Sequence, residues 1–176
     1  MRRLILYIAT SLDGYIARTS GEVDWLFTDQ DYGYTEFFAG VDTVLMGRKT
    51  YEQLPNFGEY PYKGTSGFVF SRTPRDPDAN VTFICGDMAA FVSELKRRLG
   101  KNIWLVGGGE IVAECVRHDL IDEFLVFIHP IILGVGIPLF APGPPERPLQ
   151  CIGVERFGSG LVQVSYQRVA QGRGGG

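Results

Sequence analysis

Three places in this chain set glycine, cation or hydroxyl where a strand-like run gives way to a helix-like or turn-like one, an arrangement that suits phosphate. The first is Ile103–Trp104–Leu105–Val106–Gly107–Gly108–Gly109–Glu110–Ile111, an apolar run followed by three glycines and residues at helical spacing. Glycine lets the backbone approach a ligand closely, and the free N–H groups and positive pole of a helix start attract anions. In the second, Val44–Leu45–Met46–Gly47–Arg48–Lys49–Thr50–Tyr51–Glu52, a glycine precedes two cations and a hydroxyl. The third, Phe70–Ser71–Arg72–Thr73, adds another hydroxyl and a guanidinium. Ligands of open parallel sheets sit at the carboxyl ends of strands, so all three junctions would share one rim. Two such helix starts suit the two phosphate ends of one cofactor, and the cations and hydroxyls favour an extra ribose phosphate, hence NADP over NAD. Taken singly, the glycine turn also reads as a tight connection without a ligand, and Arg48 and Lys49 as solvated helix residues. Nor is it the GxGxxG fingerprint, which follows the first strand of the usual dinucleotide fold.

A substrate side is suggested by Tyr7–Ile8–Ala9–Thr10–Ser11–Leu12–Asp13–Gly14–Tyr15–Ile16–Ala17, where an apolar run enters a turn-prone loop able to close over a flat ring. An ordinary Asp-Gly turn is the plainer reading of that stretch. Trp25 suits stacking on a ring or plugging a core, and Asp29, Asp31 and Glu36 suit a helix start through its dipole. Reduction of a C=N bond needs a proton as well as a hydride, so a carboxyl near the substrate is expected; Asp31 is the candidate acid. His118 and His129 have no HExxH context, Cys85, Cys115 and Cys151 form no CxxC pair, and no serine lies in GxSxG. These residues point away from metal ligation, disulfide scaffolding and nucleophilic hydrolysis.

The elements that must position these groups are legible as apolar runs. Strand candidates are Leu4–Ala9, Val41–Met46, Gly67–Ser71, Val81–Cys85, Ile103–Val106, Phe124–His129 and Leu161–Val169. A helix is expected through Met88, Phe91, Val92, Leu95 and Leu99, with Asp87 as N-cap and Gly100 as stop, and another from Gly109 that buries Ile111, Val112, Cys115 and Val116. Weaker helical patterns cover Asp31–Ala39 and Lys49–Leu54. Alternation of strand and helix predicts a mostly parallel α/β sheet covered on both faces, with the last strands antiparallel because no crossover helix separates them. At 176 residues and 45% hydrophobic content the expectation is a single domain over residues 1–170 and a disordered tail over 171–176. A net charge of -3 gives no field for gripping nucleic acid. The apolar run near the N-terminus breaks at Thr10–Gly14, too early for a signal or spanning segment, so a cytoplasmic setting is expected.

In their order along the chain these stretches resemble dihydrofolate reductase and the C-terminal reductase domain of the riboflavin-biosynthesis protein RibD, from Leu4 to about Val169. Ser11–Leu12–Asp13–Gly14–Tyr15–Ile16–Ala17 looks like the RibD-type SLDGxIA stretch, with Glu22–Trp25 similar to the acidic-then-Trp segment after it. Met46–Glu52 resembles MGRxTxE, Gly107–Glu110 the shared glycine turn, and His129–Phe140 the HPxxLGxGxPLF loop. The resemblance implies a dihydrofolate reductase-like mixed sheet of about eight strands with NADPH across the strand ends. By that likeness Arg48, Lys49, Thr50, Ser71 and Arg72 hold the adenosine phosphates, with Gly47 at the same junction. Gly108, Gly109 and Glu110 flank the pyrophosphate, with Val106, Gly107 and Ile111 beside them. Ala9, Asp13 and Gly14 line the nicotinamide side, Asp13 joining Asp31 as a catalytic candidate, and Leu12 and Trp25 are candidates for the substrate. A homodimer is also implied. The activity implied is NADPH-dependent reduction of a pyrimidine-, pterin- or similar heterocycle; a true dihydrofolate reductase and an NADPH-binding sensor without chemistry are the alternatives. The sequence departs from the RibD pattern in lacking a zinc deaminase domain, and it offers only Arg18 and Arg75 toward a ribose phosphate.

Overall fold

The computed structural model describes residues 1–170. The stretch 171–176, expected as a disordered tail, lies outside the described residues. The elements are β1 (Leu4–Ser11), β2 (Tyr15–Ala17), α1 (Tyr34–Ala39), β3 (Val41–Gly47), α2 (Arg48–Gln53), β4 (Ser66–Phe70), β5 (Val81–Ile84), α3 (Met88–Arg97), β6 (Asn102–Gly107), α4 (Gly109–Arg117), β7 (Glu123–His129), β8 (Ile137–Pro138), β9 (Leu149–Arg156) and β10 (Val162–Arg168). Eight strands form one sheet in the order β5-β4-β3-β6-β1-β7-β10-β9, and β2 and β8 pair separately. The first six of those eight neighbours run parallel, whereas β10 is antiparallel to both β7 and β9. This is the dihydrofolate reductase-like fold.

Side chains two apart along a strand share a face, and that alternation assigns the two helical layers. Leu4 and Leu6 of β1, Leu45 of β3 and Ile103 and Leu105 of β6 pack with Val92 and Leu95 of α3 and Ile111, Val112 and Cys115 of α4. On the opposite face Val44, Met46 and Trp104 meet Tyr34, Phe37 and Phe38 of α1 and Tyr51 of α2. Trp104 anchors this layer, its indole N–H donating to the Tyr7 carbonyl at 3.0 Å and its ring lying edge-on to Tyr62 at 5.1 Å. The helix from Met88 is capped as expected, Asp87 accepting from the Ala90 N–H at 2.9 Å. It closes at Arg97, so Leu99, expected on its buried stripe, is exposed instead.

Three further differences from the expected elements have local causes. The first helix starts at Tyr34 and not Asp31, because Tyr32 (φ 53) and Gly33 (φ 81) hold left-handed backbone. Strand β9 was not among the expected runs, and almost all of its residues are exposed, so the sheet loses its two-sided cover at this edge. The short β2 and β8 strands lie in the two loops of the SLDGxIA and HPxxLGxGxPLF stretches, whose pairing has no local sequence signal.

Candidate active site

Because β3, β4, β6, β1 and β7 are parallel neighbours, their carboxyl ends open on one rim of the sheet. Strand β3 exits through Gly47 into α2, and β6 through Gly107 into α4. A side-chain carbon added at Gly47 would lie 3.8 Å from the Gly108 nitrogen, and one at Gly108 would lie 3.3 Å from the Thr50 Oγ1, so the two helix starts are adjacent. Neither start is capped by a side chain. Gly107 has φ 134, a conformation open to glycine alone, and the Gly107–Gly108 peptide is cis. Ser71 follows the end of β4, its N–H donating to the Ile84 carbonyl, and Arg72 reaches across to Glu110 at 3.8 Å. Arg48 lies 3.9 Å from Glu52, which Arg75 also approaches at 3.2 Å. The residues expected to hold phosphate, Gly47, Arg48, Lys49, Thr50, Ser71, Arg72 and Gly107 to Ile111, thus stand on one stretch of rim, with Val106 at the end of β6.

Beyond β6 the chain after β1 crosses the rim as a strap. Ile16 lies 3.9 Å from the position of a Gly108 side-chain carbon, Gly21 abuts Gln53 at the end of α2, and Trp25 and Phe27 return to His129 at the end of β7. Asp13 fixes the start of this strap. Its carboxylate accepts from the Ser11 hydroxyl (2.6 Å) and from the N–H groups of Leu133 (3.1 Å) and Gly134 (2.8 Å), while the Leu12 N–H donates to Ile131. The Ser11 bond first, and then the backbone donors, hold the Asp13 carboxyl below the usual carboxylate range. It is therefore an ionised clip between two loops, a positioning role rather than that of a proton donor. Ala9 and Gly14 flank it on the rim, and Leu12 is exposed beside it.

Asp31 stands at the rim end of α1, where it accepts from the Thr35 hydroxyl (2.6 Å) and the Thr35 N–H. Those bonds, the hydroxyl foremost, lower its pKa, and its charge in turn adds to the burial that raises the Tyr7 and Tyr34 hydroxyls. The expected acid is thus an exposed carboxylate, suited to accepting N–H bonds from a ligand. Trp25, expected at the substrate, is only 7% exposed and presents its ring to the edge of His129 at 5.2 Å, so it packs the strap down instead of offering a stacking face.

His129 is the site residue whose surroundings the sequence did not disclose. Its Nδ1–H donates to the Phe127 carbonyl (3.1 Å), and its Nε2 accepts from the Phe27 N–H (3.2 Å), joining strap to sheet end. Burial pushes this imidazole below the ordinary histidine value. Protonation is then resisted by the folded state alone, so stability present above pH 6.5 is lost as pH falls through the folded pKa. His129→Gln retains an acceptor for Phe27 without titrating. We expect urea unfolding at about pH 7.5 and about pH 5 to show a smaller acid loss in this variant than in the wild type.

Residues 2–163 match the RibD C-terminal domain family. The chain belongs to that family. Two uncharacterized Bacillus subtilis proteins are similar over nearly their whole lengths: YwjB is 42% identical over 172 residues, 95% of this chain and 98% of its own, and YyaP is 37% identical, covering 94% of each. Among solved structures, a Shewanella sp. PV-4 protein named for riboflavin biosynthesis superposes with a TM-score of 0.85 at 31% identity, covering 96% of this chain and 99% of that one. The Thermotoga maritima deaminase and 5-amino-6-(5-phosphoribosylamino)uracil reductase aligns with a TM-score of 0.73 at 18% identity over 96% of this RibD C-terminal domain and 57% of its own chain. At that identity it shares the fold.

Proposed function

We propose that this protein is an NADPH-dependent reductase that delivers a hydride to a small pyrimidine-, pterin- or related heterocycle. The observation that carries the reading is the adjacency of two uncapped helix starts, α2 and α4, edged by Arg48, Lys49, Thr50, Ser71 and Arg72. That donor set fits a phosphorylated dinucleotide: backbone N–H groups for the pyrophosphate at Gly108–Ile111, and guanidinium, ammonium and hydroxyl groups for the adenosine phosphates. Bound NADPH supplies the hydride. Ala9 and Gly14 border its reactive end, Asp13 holds the adjoining loops, and Asp31 accepts N–H bonds from the heterocycle. The Thermotoga protein's name includes reduction of a uracil derivative, and the Shewanella protein's name places it in riboflavin biosynthesis.

Fluorescence titration tests this reading. NADPH is expected to bind more tightly than NADH, and Arg48→Ala to weaken NADPH by about tenfold with little change for NADH. Dihydrofolate among the acceptors distinguishes a true dihydrofolate reductase. Since Asp13 and Asp31 are both held ionised, NADPH binding without oxidation by any heterocycle would favour the sensing alternative.

We also propose a homodimer through β9. This edge strand leaves a row of backbone groups unpaired and exposes Ile152 and Val154, and two copies related by a twofold axis satisfy each other. Sedimentation equilibrium reads the mass directly.

A further inference from the structure

We infer that the acceptor taken at the β1–β7 end of the rim is a planar heterocycle without phosphate or carboxylate, neutral or cationic in charge. This rests on the reductase reading and names the substrate class for the same site. The first observation is a division of charge along the rim. The exits of β3 and β4 carry Arg48, Lys49 and Arg72, of which Arg48 lies 3.9 Å from Glu52 and Arg72 3.8 Å from Glu110, so that cations outnumber the carboxylates they meet there. The strap and α1, residues 12–38, carry Asp13, Glu22, Asp24, Asp29, Asp31 and Glu36 against Arg18 alone. That arginine is taken up by Asp24 through two bonds, Nε to Oδ1 at 2.6 Å and Nη2 to Oδ2 at 3.1 Å. The other walls are uncharged: residues 129–142 and 157–161 contain no ionisable side chain except His129, which burial keeps neutral. Among the described residues Arg156 is the one further cation on this side, at the carboxyl end of edge strand β9, two strands from β7.

The second observation is apolar and independent of charge. Leu12, Ile132 and Val135 are all exposed, and the loops that bear them are locked together by the Leu12–Ile131 bond and the Asp13 clip. Exposed aliphatic groups on a fixed lip present a face to a flat ring. Asp31 then supplies an oriented acceptor for ring N–H or amino groups. A dianionic phosphate beside the strap and α1 would meet carboxylates of its own sign.

Three matched pairs test the inference: 6-hydroxymethylpterin against pterin-6-carboxylate, uridine against uridine 5′-phosphate, and riboflavin against riboflavin 5′-phosphate. Each is titrated calorimetrically into protein already saturated with NADPH. In at least one pair the uncharged member is expected to bind about tenfold or more tightly than its anionic partner. Asp24→Asn, which frees Arg18 on the surface, is expected to narrow that gap severalfold, and an unchanged gap overturns the assignment of Arg18 as the neutralised cation. Anionic members binding equally or better, or no binding by either member of every pair, overturn the inference. Failure of NADPH to bind at the first step instead defeats the reductase reading, so the two failures are separable.

Discussion

Gly109→Ala is expected to lower NADPH affinity about 100-fold and to cost about 2–3 kcal/mol of stability, near the upper end for overpacking a tight site. The added carbon would lie 2.4 Å from the Pro138 carbonyl oxygen and 3.2 Å from that of Leu139. Both atoms are backbone, and their segment is tied in place. The Ala141 N–H donates to the Gly109 carbonyl at 3.4 Å, and the Leu139 N–H to Gly14 at 2.9 Å. Relief therefore requires the start of α4 to move, which misdirects the N–H groups proposed to face the phosphates. Gly47→Ala provides the contrast. Its new carbon would meet nothing closer than 3.8 Å, and its φ of -76° is open to any residue, so its fold stability should change by less than about 1 kcal/mol. Urea unfolding and fluorescence titration of both variants check the claim; wild-type NADPH affinity in Gly109→Ala would show that the turn is not part of the cradle.

The contrast also explains which parts of the site were legible in the sequence. The glycine and cation signals at the ends of β3, β4 and β6 are local, lying within a few residues of an apolar run, and the parallel sheet brings them together as strand alternation implies. Roles that depend on distant partners were not legible. Asp13 reads as an Asp-Gly turn until Leu133 and Gly134 are seen to donate to it. Trp25 reads equally as ring-stacker or core plug, and the choice is made by His129, which is also bonded to Phe27, 102 residues away. Asp31 reads as a helix start, yet the helix begins later because Tyr32 is held at positive φ. Its hydroxyl donates to Asp29 at 2.5 Å and lies 2.8 Å from the Ser159 hydroxyl, a contact from the β9–β10 turn. Strand β9 escaped for a different reason. Its residues are exposed on both faces, so burial imposes no pattern on them.

The second large effect is expected at the amino-terminal end of the strands, opposite the rim, where Asp122→Ala should cost about 3–5 kcal/mol, the range for breaking a buried ion pair by removing one partner. Lys96, on α3, is only 8% exposed, and its ammonium lies 2.7 Å from Asp122 and 3.1 Å from the Leu120 carbonyl. The same carboxylate accepts from the Leu4 N–H at 2.8 Å and pairs with Arg168 at 2.9 Å, joining β1, α3 and β10 before β7 begins. Its removal strands a buried ammonium and a backbone donor together. Lys96→Met is expected to cost less, about 1–2 kcal/mol, because Asp122 keeps Leu4 and Arg168 while the methionine fills the same space. Urea unfolding gives both values, and near-equal losses would mean that the lysine, not the carboxylate, organises this junction. Since Asp122 precedes β7 and the proposed cofactor rim follows the strands' carboxyl ends, NADPH affinity of the folded variants should match the wild type. A parallel fall in affinity would show that the two ends of the sheet are coupled through β1.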